Sequence, residues 1–589
     1  MRDFFGRSYL AVDFVLRVQP LVRLSDALLS FGSENLSGLQ AFATDGDRQV
    51  RGRILSINAV YAKILEFDTL DEITLPTARV FPSFNRDQLD QLVRAAAPGF
   101  DFARARKGAA LAAKTGAAKD RAQRIGIIAK KLSTRIFPLE LPDTTVELEP
   151  MPLPILYQGD GKRALMADKV SEPEVEFRSR RATANIRDGI TTFGAYSDEP
   201  KDIQLVGVVE PGFEQRMIDL VGRLQFGKLR YRGSERTFAT RFQLAQVSTA
   251  RSVRTDEECR RLIEAFPEWC GDEHRRRVFL VHTSKAGHSI DDVMSPYFRA
   301  KRVLLEAGIP CQMVDTPTLQ NADYKDLNLA LNVVAKTGAA PWVLPESIPN
   351  ADFFVGLSYT SSNFGDPSDR ILGFANVFNE YGRWEFYSGG SDSVPYDRRH
   401  HHYEDLVADT LAKLQLSETP SIWFHYSARF GRADRYAILR GARRICPNGQ
   451  FVFVWINTHH PLRLFDRTAG TDGSLSHGRF VVGGSNQIYL STTGYNQYRK
   501  TIGTPLILEI NVYGKDVKSG NCAPIDHRAI ARQILSLTKL NWASTDALCG
   551  VPITTKYAKD IARLTAAFHR QLLGKFQLHP VLVRTPWFI

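Results

Sequence analysis

Residues 295–338 read SPYFRAKRVLLEAGIPCQMVDTPTLQNADYKDLNLALNVVAKTG. Two segments of helical periodicity flank a short strand, IPCQMV, the alternation expected of an α/β fold. Four polar residues interrupt otherwise packed elements: Tyr297, Lys301, Gln312 and Lys336. Tyr297 and Lys301 are four apart, so they share one face of a helix. Gln312 sits on the strand between apolar neighbours, and Lys336 ends the second helix beside Gly338. Converging, a phenol, an amide and two ammonium groups would grip a terminal phosphate. Apart, they are ordinary surface residues.

The pattern extends on both sides. DIQLVGVVEP (from Asp202) reads as a strand, PGFEQRMIDLVGRLQFG as a helix stopped by Gly227, and RRVFLVHTSK (from Arg276) as a strand buried on both faces. Strand and helix alternate through Gly338, giving a small α/β unit with a parallel sheet. After Pro349, DFFVGLSYT is a buried strand. LGFANVFNEYGRWEFYSGG is a strand pair turning at Glu380–Gly382, and HHYEDLVADTLAKLQL is an amphipathic helix. SIWFHYSA and FVFVWINT are strands separated by a helix, RADRYAILRGARR. Strands GRFVVGG, IYLSTTG and PLILEINVYG follow, then two closing helices. A mixed sheet followed by helices fits an RNase H-like α/β domain.

The N-terminal part differs. RQVRGRILSI and VYAKILEF alternate as strands of a small sheet within residues 1–90. From Asp101 to Arg135 there are ten basic and two acidic residues in an Ala-rich, helix-favouring run. FPLELPDTTVELEPMPLPILY then reads as a surface linker, because its prolines exclude a central strand or long helix. Arg178, Arg180, Arg181 and Arg187 form a second basic cluster, expected to end in a turn around Gly189 and Gly194.

With 589 residues the chain needs several cores. Its 43% apolar content fits a globular protein, and no apolar run is long enough to span a membrane. The N-terminus lacks a signal-peptide pattern, and the six cysteines include no CxxC pair. A cytoplasmic protein with reduced thiols and no membrane partner is the expectation. The net charge of +12 points to an acidic partner, above all nucleic acid. The run His400-His401-His402 with Glu404 lacks the i, i+4 spacing of a helical metal site and is expected to be a solvent-exposed helix entrance. His459 and His460, ahead of Pro461, are expected to be ordinary loop residues.

Taken together, several phrases resemble the Argonaute family in its prokaryotic branch, over about Glu172 to Ile589. RDGITTFGAYSD resembles the segment leaving the second linker. Tyr297, Lys301, Gln312 and Lys336 fit the MID-domain pattern that grips a guide's 5′ phosphate. KTGAAPWVL followed by ADFFVGLSYT resembles the crossing into the PIWI domain. THHPLRLFD, YLSTTG, IGTPLILEI and LTKLNWASTDALCGVPITTKYAKDIA resemble successive PIWI blocks. The implied architecture is a β-rich N-terminal domain at 1–90, a basic helical segment and linkers at 91–200, a Rossmann-like MID domain at 201–345 and an RNase H-like PIWI domain at 346–589, without PAZ.

The resemblance also implies roles. Tyr297 would contact the first nucleotide, and Lys301, Gln312 and Lys336 the phosphate oxygens. Asn332 stands where many relatives carry a lysine, leaving room for Mg²⁺ held by Gln312 and the Ile589 carboxylate. The family's slicing carboxylates are replaced here by Ser358 and Ser427, and serine cannot neutralise two cations. The chain is therefore expected not to be an enzyme. Asp352 lies six residues before Ser358, about 20 Å along a strand; Asp366, Asp369 and Asp434 are the remaining candidates for a displaced carboxylate site. The implied function is to hold a short 5′-phosphorylated guide RNA and recognise complementary target DNA in prokaryotic defence, alongside a separate effector such as a nuclease or NAD-consuming enzyme. Two alternatives stay open: an active nuclease using the displaced carboxylates, and a guide-independent nucleic-acid-binding scaffold.

Overall fold

The computed structural model describes residues 22–45, 48–66, 72–84, 118–135, 166–249, 277–283, 296–320, 325–361, 370–389, 398–429, 431–460, 462–466, 473–494, 505–513, 525–545, 549–571 and 576–589, with some shorter pieces. The chain divides into two compact units, Asp13–Ile125 and Met1–Val12 with Gly126–Ile589.

The smaller unit is built on helix α1 (Leu24–Phe31) and strands β1 (Gln40–Asp45), β2 (Arg48–Ile57), β3 (Tyr61–Glu66), β4 (Glu72–Pro76) and β5 (Val80–Pro82). The strands form an antiparallel sheet in the order β4-β3-β2-β1-β5. Alternation decides the facing. Val50 and Ile54 of β2 and Ala62 and Ile64 of β3 are buried with Leu24 and Ala27 of α1. Helix α2 (Ala118–Arg135) carries the C-terminal half of the basic run; its residues 120–128, 130 and 131 are all exposed or half-buried, as expected of a solvated helix. Residues 101–117 lie outside the described residues.

In the larger unit β6 (Ala167–Lys169) is followed by helix α3 (Ile186–Phe193). Here the structure corrects the sequence reading. Gly189 makes no turn; it is buried inside α3, where a Cβ would come 2.1 Å from the Phe177 ring. The glycine is there for close packing, and the helix ends only at Gly194, whose φ is +84°.

Next come β7 (Asp202–Val209), α4 (Glu214–Phe226), β8 (Arg241–Thr249), β9 (Arg277–Thr283), α5 (Pro296–Glu306), β10 (Cys311–Asp315) and α6 (Asp326–Lys336). The four strands make a fully parallel sheet, order β8-β7-β9-β10. β8 went unread in the sequence because it is an edge strand with mostly half-buried or exposed side chains.

A ten-stranded mixed sheet follows. It takes in β11 (Phe353–Ser361), β12 (Arg370–Asn379), β13 (Trp384–Gly389), β14 (Ser421–Tyr426), β15 (Gln450–Asn457), β16 (Arg479–Gly484), β17 (Gln487–Ser491) and β18 (Ile507–Tyr513), in the order β6-β16-β17-β18-β15-β14-β11-β12-β13, with Val394–Pro395 paired to β12. Only β11–β14 and β14–β15 run parallel. Helices α7 (Arg399–Leu411) and α8 (Arg432–Ile445) pack with one apolar cluster of this sheet, and α9 (His527–Thr538) and α10 (Ile553–Gln571) with another. The second cluster runs continuously from Val170 through the parallel sheet to Phe588. Gly356 of β11 lets α10 approach: a Cβ there would meet the Thr554 carbonyl oxygen at 2.1 Å.

Candidate nucleic-acid interface

The four residues singled out in the sequence are brought to adjoining elements. Tyr297 and Lys301 lie on α5, with the Lys301 ammonium 5.7 Å from the centre of the Tyr297 ring. Gln312 is on β10, and its side-chain oxygen accepts a hydrogen bond from the Lys336 ammonium at the end of α6. Asn332 stands one turn before Lys336 on the same helix, and its side-chain oxygen is buried without a hydrogen-bond partner. Lys301 is 2% exposed and Lys336 1%. Helix α5 buries Phe298, Ala300, Val303, Leu304 and Leu305, and α6 is buried on nearly every side, so both lysines point into the protein.

Electrostatics sharpen this picture. Burial, then repulsion from Lys301, holds the Lys336 pKa well below that of an ordinary lysine. Burial pushes the Cys311 thiol up, against the pull of both lysines. Among the described residues neither lysine has a carboxylate within 4 Å, whereas other buried cations do: Arg223 pairs with Asp326 at 3.1 Å, and Lys539 with Glu172. Two buried, neighbouring ammonium groups with no carboxylate among the described residues are costly to the protein alone, and a multiply charged anion would match them.

The chain's end supplies another contact that sequence reasoning did not name. Lys301 donates to the Phe588 carbonyl at 3.3 Å. Trp587 and Phe588 are buried, Phe588 lying 4.9 Å from the Tyr557 ring and 5.3 Å from Trp384. Further back, His579 donates its backbone N–H to the Leu305 carbonyl at the end of α5. The resemblance implied that Ile589 returns to this site; the fold adds that the residue before it, Phe588, reaches Lys301 through its carbonyl.

The serines of the large sheet also come together. Leu357 of β11 is paired with Tyr426 of β14, so Ser358 and Ser427 follow side by side along two parallel strands. Ser358 is buried, and Ser427 lies just past the end of β14. Around them are phenols: the Tyr403 and Tyr426 hydroxyls are 3.2 Å apart, and the Tyr359 ring is 6.1 Å from Tyr426. Burial pushes the Tyr403 and Tyr426 pKa values upward. Asp352 accepts from the Ser421 N–H at 2.7 Å, at the opposite end of the strands. Asp434 accepts from Gly431 N–H and pairs with Arg399 and His400 at the start of α8. Asp366 and Asp369 lie outside the described residues. No group of three or more His, Cys, Asp or Glu placed to hold a metal is found among the described residues.

Two histidine readings need correction. Only His401 of the triple run is exposed; His400 faces Asp434, and His402 accepts the Gly373 N–H at 3.1 Å. The helix packs on β12 here, so its entrance is only partly solvated. His460 is likewise buried, bonded through Nε2 to the Ile507 carbonyl at 2.8 Å.

No family model matches the sequence. An Argonaute of Aquifex aeolicus is 27% identical over 273 residues, 46% of this chain and 35% of that protein. An Argonaute of Cereibacter sphaeroides is 23% identical over 306 residues, 47% of this chain and 38% of that protein. The matched segment thus spans little more than a third of either relative. The chain's fold follows that of Clostridium butyricum Argonaute, solved with a guide DNA and a 19-mer target DNA, with a TM-score of 0.66 over 95% of this chain and 76% of that one at 13% identity. In sequence the chain is similar to Argonautes over about half its length, and it has the Argonaute fold. In Argonaute terms the parallel sheet β8-β7-β9-β10 is the MID fold and the ten-stranded sheet the PIWI fold. The buried lysines lie in the MID fold, with the end of the PIWI fold folded back onto them. The two serines lie in the PIWI fold. No helix among the described residues is long and apolar enough to cross a membrane.

Proposed function

We propose that the protein holds a short 5′-phosphorylated guide RNA through Lys301, Lys336, Gln312 and Tyr297 and uses it to recognise complementary DNA without cutting it. The observation that carries this is the pair of buried ammonium groups with no carboxylate partner among the described residues. A terminal phosphate dianion would match them through charge-assisted hydrogen bonds. Base pairing would supply the sequence specificity, and the protein would read phosphate and duplex shape.

Mg²⁺ fits the same pocket. The unpartnered Asn332 oxygen, the Ile589 carboxylate and the Gln312 amide oxygen, which already meets Lys336, are hard oxygen donors that would hold it. Bound there, the ion would neutralise charge between phosphate and carboxylate. Ser358 and Ser427, each one residue beyond the Leu357–Tyr426 pair, favour a PIWI fold that grips a duplex without slicing it, because neither side chain carries charge for a catalytic cation. A binder of this kind needs a separate effector, a nuclease or an NAD-consuming enzyme, to act in prokaryotic defence within the cytoplasm.

The test is to purify the protein from cells and sequence what it carries. Short RNAs with a uniform 5′ phosphate, accompanied by complementary DNA, are expected. Bound strands of random length and mixed 5′ ends, or cut targets in the presence of guide and Mn²⁺, would overturn the reading.

A further inference from the structure

Far along α4 from its N-terminus, the chain turns through Phe226-Gly227-Lys228-Leu229-Arg230-Tyr231-Arg232. Phe226 is 76% exposed and Leu229 72%, the largest exposures of apolar side chains in the described parallel-sheet region. Lys228, Arg230 and Arg232 are exposed around them, and none makes an ion pair among the described residues. This exposure does not come from a loose loop. Gly227, at φ +86°, would place a Cβ 2.3 Å from the Tyr231 carbonyl oxygen, and Gly233, at φ +87°, one 2.4 Å from the Gln225 oxygen. Tyr231 is buried between them, its hydroxyl donating to the Leu224 carbonyl at 2.8 Å. Leu229 is held at φ +57°, a left-handed conformation that a branched side chain resists. A glycine would sit there without strain, so the strain serves to hold an apolar side chain outward.

We propose that this turn is a second nucleic-acid contact, where Phe226 and Leu229 pack against unpaired bases and Lys228, Arg230 and Arg232 meet the phosphates on either side. Charge complementarity selects the occupant. The turn carries three cations and no acid, on a chain of net charge +12. An aromatic face ringed by cations is how a single strand is gripped without regard to sequence. The contact is separate from the phosphate pocket, since none of its residues takes part there.

The experiment uses a fluorescent 30-nucleotide single strand with a 5′ hydroxyl and 5-iodouracil substitutions, which removes the phosphate pocket from the reading. Photo-crosslinking of the full chain is expected to place an adduct on the peptide carrying Phe226. Phe226→Ala is expected to weaken binding about tenfold, in line with loss of one stacked base. Lys228→Ala with Arg230→Ala should lower the log–log salt slope by about 1.4. Leu229→Gly should weaken binding while leaving the melting temperature equal or higher, which separates the contact from a folding defect. Lys301→Ala with Lys336→Ala should keep the Phe226 adduct, so failure of the phosphate-pocket reading is seen independently. Adducts only elsewhere, with parental affinity in Phe226→Ala, overturn the proposal; so does parental binding and salt slope in the double basic variant, which would leave the turn to a protein partner.

Discussion

Replacing Lys336 by methionine tests the electrostatic argument in two directions at once. The side chain is 1% exposed, so solvent screening does not weaken its interactions. Losing one charge-assisted hydrogen bond to a phosphate costs about 1.5–3 kcal/mol, which corresponds to roughly a 10- to 150-fold loss of affinity. That loss should fall on 5′-phosphorylated oligonucleotides and spare 5′-hydroxyl ones, as measured by fluorescence anisotropy on matched strands. The ligand-free protein should respond oppositely to pH. Because burial and Lys301 depress the Lys336 pKa in the folded state, the unfolded chain binds the proton more readily. The penalty is complete below the folded pKa and fades as pH rises from there to the unfolded value, so parental stability contains a component that increases towards alkaline pH. In Lys336→Met this component should vanish, although the Gln312 oxygen loses its donor and offsets part of the gain. Denaturant titrations across the alkaline range read it directly. An unchanged phosphate preference, or an alkaline component that survives the substitution, would refute the reasoning.

Other expectations follow from the same structure. His425 is fully buried, bonded to the Thr554 hydroxyl, and burial pushes its pKa down to about 3. The unfolded state therefore takes up the proton first as pH falls below 6.5. His425→Gln should remove about 4 kcal/mol of acid-induced destabilisation between there and pH 3, and parallel acid-unfolding curves would refute it. Gly356→Ala should cost about 3 kcal/mol by urea unfolding, because the added methyl meets the Thr554 carbonyl of α10. Ser358→Asp with Ser427→Asp should destabilise the metal-free chain by setting two carboxylates just beyond the paired Leu357 and Tyr426. Mn²⁺ at a hundred times its Kd should then restore about 2.7 kcal/mol, and a melting temperature indifferent to Mn²⁺ would count against the pairing of the two positions.

Much of this molecule is legible in its sequence because its strands are buried on both faces and its helices are strongly patterned. RVFLVHT, SIWFHY and QFVFVWIN read as strands and are strands. The edge strand Arg241–Thr249 was missed because half-exposed edges lack the apolar contrast on which periodicity depends. Gly189 read as a turn because sequence cannot say whether a glycine serves φ or packing, and Phe177, the residue that needs the space, is twelve positions away. His460 and His402 read as exposed because the groups that bury them, the Ile507 carbonyl and the Gly373 N–H, come from distant strands.

By itself the sequence determined the periodic elements, the basic balance, and the residue types at Tyr297, Lys301, Gln312 and Lys336. It also determined that Ser358 and Ser427 carry no charge. The tertiary structure decided which of these meet. It buried two lysines together with no carboxylate beside them among the described residues, brought the Phe588 carbonyl back onto Lys301, set the two serines next to the last paired residues of neighbouring parallel strands, and held Phe226 and Leu229 outward on a strained turn. The physical reason is common to all four. Burial and long-range pairing belong to the packed chain, and groups 287 residues apart, like the Lys301 ammonium and the Phe588 carbonyl, leave no local trace of their contact.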